Sequence, residues 1–384
     1  MKPEDFAELG RVVGPVNAAH GLPNAFYTDP AVFEEEKRRL FVPGWAAIGF
    51  GKDVPEPGDA RPVSLYGIPL LMVRDRTGAL HVFQNVCRHR GMVLVDQPTR
   101  LKGVIRCPYH AWCYELDGAL RATPHVGGAG HNTHADVDRD RLGLFEVRSH
   151  VFMDVVFVNI SGDAAPFEQH AADLVARAGE FATARLHHGG PDSSFTLEVR
   201  TNWKLAVENY LESYHLPWVH PGLNSYSRLE DHYNVVETSF AGQGTLAYTP
   251  GFGPNGERFA RFPGLAAKWD KGAEYPSFFP NVLFGFQNDH CFAIIVEPLA
   301  HDRSLERIEI YYASEAMTGP DFAAMRERNA AMWKSIFVED IGVVEGMQRG
   351  RSAPGFDGGK FSPVMDTCTH RFHAWVAERF LAAA

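Results

Sequence analysis

Two short stretches carry side chains suited to a single metal centre. "CRHRG" (87–91) holds Cys87 and His89, and "CPYHAW" (107–112) holds Cys107 and His110. Two thiolates and two imidazoles could bind zinc tetrahedrally. Zinc modules, however, usually draw paired cysteines or paired histidines from one loop, whereas each stretch here supplies one of each. That mixed pairing suits a [2Fe–2S] cluster in which one iron takes both sulfurs and the other both nitrogens.

A second constellation lies in "ENYLESYHLPWVH" (208–220), where His215 and His220 follow Glu212. On a helix, Glu212 and His215 would be about 60° apart, on one face, and His220 about 140° further round. Pro217 predicts that the helix ends near Leu216, so that His220 returns toward His215 from a loop. This differs from the zinc-protease HExxH pattern, whose two histidines share one helical face. Two histidines and one carboxylate would hold Fe(II) with positions left open for O₂ and substrate. For the carboxylate, the helical pattern over 332–348 places Asp340 within an apolar stripe of Met332, Trp333, Ile336, Phe337, Val344 and Met347. A carboxylate there is costly unless paired or metal-bound. Glu339 lies at the stripe's edge and Glu345 opposite, so Asp340 is the expected third ligand.

The elements that must position these groups fall into two textures. From 45 to 162 the chain is dense in short strand-like runs broken by turns, such as "RPVSLYG", "IPLLMVRD-RTG-ALHVFQNV" and "HVFMDVVFVNISGD". Residues 1–44 and 163–384 form the other region. In it, "NVLFGFQNDHCFAIIVEPL" and "SLERIEIYYAS" read as neighbouring strands with turns at Asn288-Asp289 and His301-Asp302. "TGPDFAAMRERNAAMWKSIFVEDIGVVEGMQRG" reads as a helix opened by Thr318 and Pro320 and closed by Gly350. A helix over 203–216 would pack Trp203, Val207, Tyr210, Leu211 and Tyr214 inward, leaving Glu208 and Glu212 on its polar side. The expected class is α+β: a β-rich [2Fe–2S] domain and a catalytic domain with a helix-covered antiparallel sheet of helix-grip type. "GFGPNG" (251–256) fits GxGxxG but lacks the flanking strand and helix, so it reads as a loop. "CTHRFH" (368–373) reads as the start of an amphipathic terminal helix. "HVGGAGHNTH" (125–134) reads as a flexible loop with solvated histidines.

Composition narrows the function. The 384 residues are 45% hydrophobic with a net charge of −10, which leaves no basic patch for nucleic acid. No run approaches the roughly 18 apolar residues of a membrane span, and residues 1–20 do not resemble a signal peptide. Five scattered cysteines do not make a disulfide scaffold, so a reducing, cytoplasmic compartment is expected.

The chain resembles the catalytic α subunit of Rieske-type non-haem iron aromatic-ring-hydroxylating oxygenases. The resemblance runs through "LFVPGWAAIG" (40–49), the two cluster stretches, "NWKLAVENYLESYHLPWVH" and "VEDIGVVEGMQRG". Respiratory Rieske proteins carry an extra cysteine in each cluster loop; Met92 and Tyr109 are not cysteine, and Cys113 follows the second loop. The resemblance independently matches Asp340 to the family's third iron ligand. It implies that Glu212 is not a ligand but links His215 to a cluster histidine, expected to be His110, of a neighbouring subunit in a trimer. Most of the family has Asp at this position; Glu is familiar in members acting on quaternary ammonium compounds such as carnitine and glycine betaine. No flavin or nicotinamide motif stands out, so a separate NAD(P)H-dependent reductase is the implied partner, and a homotrimer the implied assembly. Two substrate readings stay open: oxidation beside a quaternary nitrogen, with Trp218, Phe284, Phe286 and Phe292 as candidate cage residues, and hydroxylation or O-demethylation of an aromatic acid. A non-catalytic electron carrier would need only Cys87, His89, Cys107 and His110.

Overall fold

The computed structural model describes residues 3–253 and 255–382. It divides into two compact units, Ala47–Ala164 and Met1–Ala46 together with Ala165–Ala384. The class is α+β.

The smaller unit is built from antiparallel hairpins. Asp59–Leu65, Ile68–Arg74 and Leu80–Gln84 pair in sequence order, and Arg148–Phe152 pairs with Val155–Asn159. Tyr66-Gly67 and Met153-Asp154, all at positive φ, turn two of these hairpins in two residues. Such turns match the right-handed twist of the strands they join. A third, very short sheet orders Ile105–Arg106, Cys113–Tyr114 and Leu120–Ala122. Its core includes Leu71, Phe83, Ile105, Tyr114 and Trp112, with Cys87 and Cys107 among them.

The larger unit is centred on an antiparallel sheet of eight strands among the described residues. His232–Val236, Phe240–Thr245, Ala273–Phe278, Val282–Phe286, His290–Ala300 and Arg303–Tyr312 each pair with the next. Arg303–Tyr312 also pairs with Ser194–Val199 and His187–His188. The continuous burial of Val282–Phe286 shows that both faces of the sheet's centre are covered. A long helix, Ala323–Gly350, begins after two 3₁₀ turns over Glu315–Thr318 and Pro320–Phe322. The terminal helix is Thr367–Leu381.

The helix Trp203–Tyr210 is capped by Asn202, whose side chain accepts from Lys204 N at 3.1 Å. Lys204 is fully buried, and its ammonium donates to Glu36 Oε1 at 2.5 Å and Asn202 Oδ1 at 2.7 Å. Glu208 is not on a solvated side. It is buried, accepting from Tyr27 OH at 2.5 Å with His373 Nε2 at 3.1 Å. The apolar stripe also stops short of Tyr214, which is exposed. The loop over 125–134 is held by Gly127 N to His131 O and His125 N to Asn132 Oδ1, with His125, His131 and His134 at the surface. In "GFGPNG" the described residues form a loop, and Pro254 lies outside the described residues.

Candidate functional site

In the smaller unit the two stretches fold as twin loops. Cys87 N donates to Met92 O and Gly91 N to Cys87 O; Cys107 N donates to Trp112 O and Ala111 N to Cys107 O. Gly91 and Ala111 both have positive φ, 74° and 55°. Glycine adopts that conformation freely, whereas at Ala111 the surrounding loop must hold it. The result places two buried thiols beside two imidazoles whose ring centroids are 4.7 Å apart. His89 stacks on Trp112 at 4.9 Å. Tyr114 OH lies 3.2 Å from Cys87 Sγ and accepts from Arg88 N at 3.0 Å. Burial raises the Cys87 pKa, a cost that metal binding to the thiolate would remove. His110 Nδ1 is buried without a hydrogen-bond partner. An orphaned ring nitrogen beside two close-set cysteines fits a metal cluster.

In the larger unit His215, His220 and Asp340 converge. One ligand atom from each lies within 4.8 Å of the others, and no other such group of three or more occurs among the described residues. Asp340 Oδ1 is 3.0 Å from His220 Nε2 and 3.8 Å from His215 Nε2, and this buried oxygen has no well-directed hydrogen bond. The Nδ1 atoms face outward: His215 Nδ1 to Glu212 Oε1 at 2.5 Å, and His220 Nδ1 to Glu339 Oε2 at 2.7 Å. A carboxylate on Nδ1 fixes its proton there and leaves the Nε2 lone pair for a metal. Burial alone would lower the His220 pKa, but Asp340 and Glu339 outweigh it and raise it. Two inward lone pairs and an unsatisfied carboxylate oxygen fit a divalent iron ion.

The backbone route to this geometry differs from the sequence expectation. The helix ends at Tyr210, and a second short helix runs from Leu216 to Val219. Glu212 and His215 therefore share a turn, in which the Glu212 carboxylate also accepts from His215 N at 3.2 Å. Gln243 Nε2 donates to Glu212 O at 3.3 Å, drawing that carbonyl away from a helical course. Pro217 lies in the first turn of the new helix, where its missing N–H is not needed. It opens a helix rather than closing one.

A cavity opens on the three converging groups, walled by Tyr210, Tyr275, Trp333, Phe337, His232 and Gln243. His232 Nδ1 pairs with Gln243 Oε1 at 2.6 Å and its Nε2 with Ser227 Oγ at 3.0 Å; burial lowers its pKa. The aromatic residues singled out from the sequence are elsewhere. Trp218 is 72% exposed, Phe286 stacks on Phe181, Phe284 is core, and Phe292 packs behind Trp333 at 4.6 Å. A larger crevice of about 870 Å³, lined by Arg38, Arg39 and Phe380 among others, holds no converging ligand set. Sequence reasoning missed Glu339 as the partner of His220, weighing it only as a rival ligand. It also missed the cavity aromatics, which sit on separate elements and share no local spacing.

Comparison with known proteins assigns both regions of the chain to known domain families. A Rieske [2Fe-2S] domain model matches residues 44–135, and a model of the ring hydroxylating alpha subunit (catalytic domain) matches residues 186–382. The carnitine monooxygenase oxygenase subunit of Escherichia coli (strain K12) is 29% identical over 343 residues, 88% of this chain and 86% of the relative. Chloroplastic choline monooxygenase of Spinacia oleracea is 26% identical over 373 residues, 95% and 79% of the two chains. The fold is shared with naphthalene 1,2-dioxygenase from Rhodococcus sp., at TM-score 0.81, 17% identity and coverage of 100% and 99%. It is also shared with a quaternary ammonium Rieske monooxygenase in complex with gamma-butyrobetaine, at TM-score 0.75, 24% identity and coverage of 98% and 99%. No helix among the described residues is long and apolar enough to cross a membrane. With the catalytic-domain model spanning more than half of the sequence and the Rieske model preceding it, the chain belongs to the ring-hydroxylating α-subunit family of Rieske oxygenases.

Proposed function

We propose that this chain is the oxygenase component of a monooxygenase acting on a quaternary ammonium compound, with oxidation at a carbon next to nitrogen. In this reading Cys87, His89, Cys107 and His110 hold the [2Fe–2S] cluster, and His215, His220 and Asp340 hold the mononuclear iron. When bound, these groups supply electron storage and O₂ activation. The chain's own residues do the rest. Glu212 and Glu339 fix the two imidazoles with Nε2 inward, and Tyr210, Tyr275, Trp333 and Phe337 enclose the reacting carbon. Electrons come from a separate NAD(P)H-dependent reductase in the cytoplasm. The chain works as a homotrimer in which Glu212 links His215 to His110 of a neighbouring subunit.

The observation that carries the substrate class is the cavity itself: four aromatic walls and no lysine or arginine among its lining residues. Aromatic faces attract a cation that cannot donate hydrogen bonds. The likeness to proteins named carnitine and choline monooxygenases supports the same class, and nothing comparable favours an aromatic acid, whose carboxylate would find no basic partner here. The test is oxygen uptake with a reductase across quaternary amines and aromatic acids. Formaldehyde or an oxidised amine is expected; a phenol or cis-diol without amine turnover would move the assignment to aromatic substrates. For the link between sites, Glu212→Gln should retain both metal centres yet oxidise its reduced cluster slowly in a single turnover. Glu212→Asp keeps the charge and should retain more of the rate. Cluster oxidation at the parent rate in Glu212→Gln would reduce Glu212 to an orienting residue for His215.

A further inference from the structure

A second, smaller cavity adjoins the metal-facing one. The two share Asn209, Tyr210, Phe337 and Asp340 in their walls. Its other walls are aliphatic, with one exception, Glu306. Glu306 lies on the strand Arg303–Tyr312, flanked in register by Leu197 and Val296. Strand alternation places it on the same face as Ile308 and Ile310, both fully buried. That is a position for an apolar residue.

No hydrogen bond or ion pair from the described residues compensates the Glu306 carboxyl. Burial first, and the negative charge of Asp340 second, disfavour its ionised form, which a cation alongside would favour again. Neither cavity is lined by a lysine or arginine. Glu306 is half-buried, and a carboxyl held among aliphatic side chains without a partner is costly to the fold; the partner absent among the described residues is a cation.

We propose that Glu306 is the counter-charge for the substrate's ammonium group and so determines the specificity of the site for organic cations. The ammonium sits between the Tyr210 and Phe337 side chains with Glu306 beyond it. Its methyl groups fill the aliphatic wall, where an N–H donor would lack room for water. Because neither cavity is lined by a lysine or arginine to receive an anion, a singly charged cation of choline type is preferred over a zwitterion whose carboxylate would enter the same space. This inference rests on the reading of the site as a quaternary ammonium oxygenase and adds the residue that does the selecting.

The test uses the holoenzyme, the parent and two variants, Glu306→Gln and Glu306→Asp. Binding of tetramethylammonium and choline is measured by calorimetry alongside 3,3-dimethyl-1-butanol, the neutral carbon isostere of choline, and kcat and KM are measured for choline and glycine betaine. Glu306→Gln should weaken both cations by an order of magnitude or more, leave the neutral alcohol unchanged, and retain full iron content. Glu306→Asp, with charge kept and reach shortened, should lie between. The parent's preference for choline over betaine should shrink in Glu306→Gln. Equal losses for choline and its neutral isostere would make Glu306 a packing residue and overturn the proposal, as would unchanged cation affinity or a parent that binds no cation. A parent that binds tetramethylammonium, loses it on Glu306→Gln, yet oxidises no quaternary amine would uphold the cation site and refute the proposed reaction.

Discussion

The indole Nε1–H of Trp333 donates to Nε2 of His290 across 2.9 Å, with both residues buried. His290 Nδ1 lies 2.7 Å from Asp289 Oδ1, and Arg258 Nε donates to the other Asp289 oxygen at 2.9 Å. The chain fixes the His290 tautomer, so that Nε2 can accept, and the indole is pinned with its ring in the cavity wall. Tyr248 and Phe337 stack on Trp333 at 6.0 and 5.7 Å.

His290→Leu removes the acceptor and leaves a buried indole N–H unpaired. The expected stability loss is about 1–3 kcal/mol, read from denaturant unfolding. Substrate KM should rise several-fold while kcat changes little, because Trp333 is a wall and not a ligand. A fall in kcat alone would contradict the wall role.

Asp340→Ala should leave the visible absorption of the cluster intact while the mononuclear iron is lost on dialysis, since two imidazoles alone remain. Glu339→Ala touches no ligand atom. It frees His220 Nδ1, and metal affinity should fall by roughly 10–100-fold. Iron content after graded chelation separates the two, and equal retention by both variants and the parent would remove Asp340 from the ligand set.

Tyr114→Phe removes the hydroxyl at Cys87 Sγ and the acceptor of Arg88 N. Hydrogen bonds to cluster sulfurs stabilise the reduced, more negative state. The reduction potential should therefore drop in the variant, with the spectrum otherwise retained. A potential unmoved or raised would place the hydroxyl outside the electrostatics of the cluster.

The smaller unit should carry an acid-sensitive hairpin. Burial would raise the Asp75 pKa, but hydrogen bonds from Thr77, Ala79 and His81 outweigh it and hold the carboxyl at about 2. Thr77 N and Ala79 N each donate to Oδ1 at 2.8 Å. A carboxyl lowered in the folded state contributes stability that is complete above its unfolded pKa of about 3.9 and is lost as pH falls toward the folded value. Asp75→Asn should be less stable than the parent at neutral pH and converge with it near pH 2. Unfolding midpoints measured across that range check this.

Much of the chemistry was legible before any fold. Cys87, His89, Cys107 and His110 lie within two stretches of at most six residues, and metal chemistry depends on residue type and short spacing, both of which are local. The hairpins of the smaller unit and the turn at Asn288-Asp289 were legible for the same reason, since turn backbones select their residues locally. The apolar stripe around Asp340 told which face of the long helix is covered. It could not tell what covers it. Glu339 meets His220 across 119 residues and Gln243 meets the Glu212 carbonyl across 31, and these contacts decide the tautomers and the early end of the helix at Tyr210. Likewise Glu208 reads as a polar position, yet packing of distant elements buries it in a charge network, and the same packing leaves Glu306 facing a cavity. Periodicity assigns a residue to a face, whereas the partner across that face is set by how separate elements close on one another, which only the tertiary structure determines.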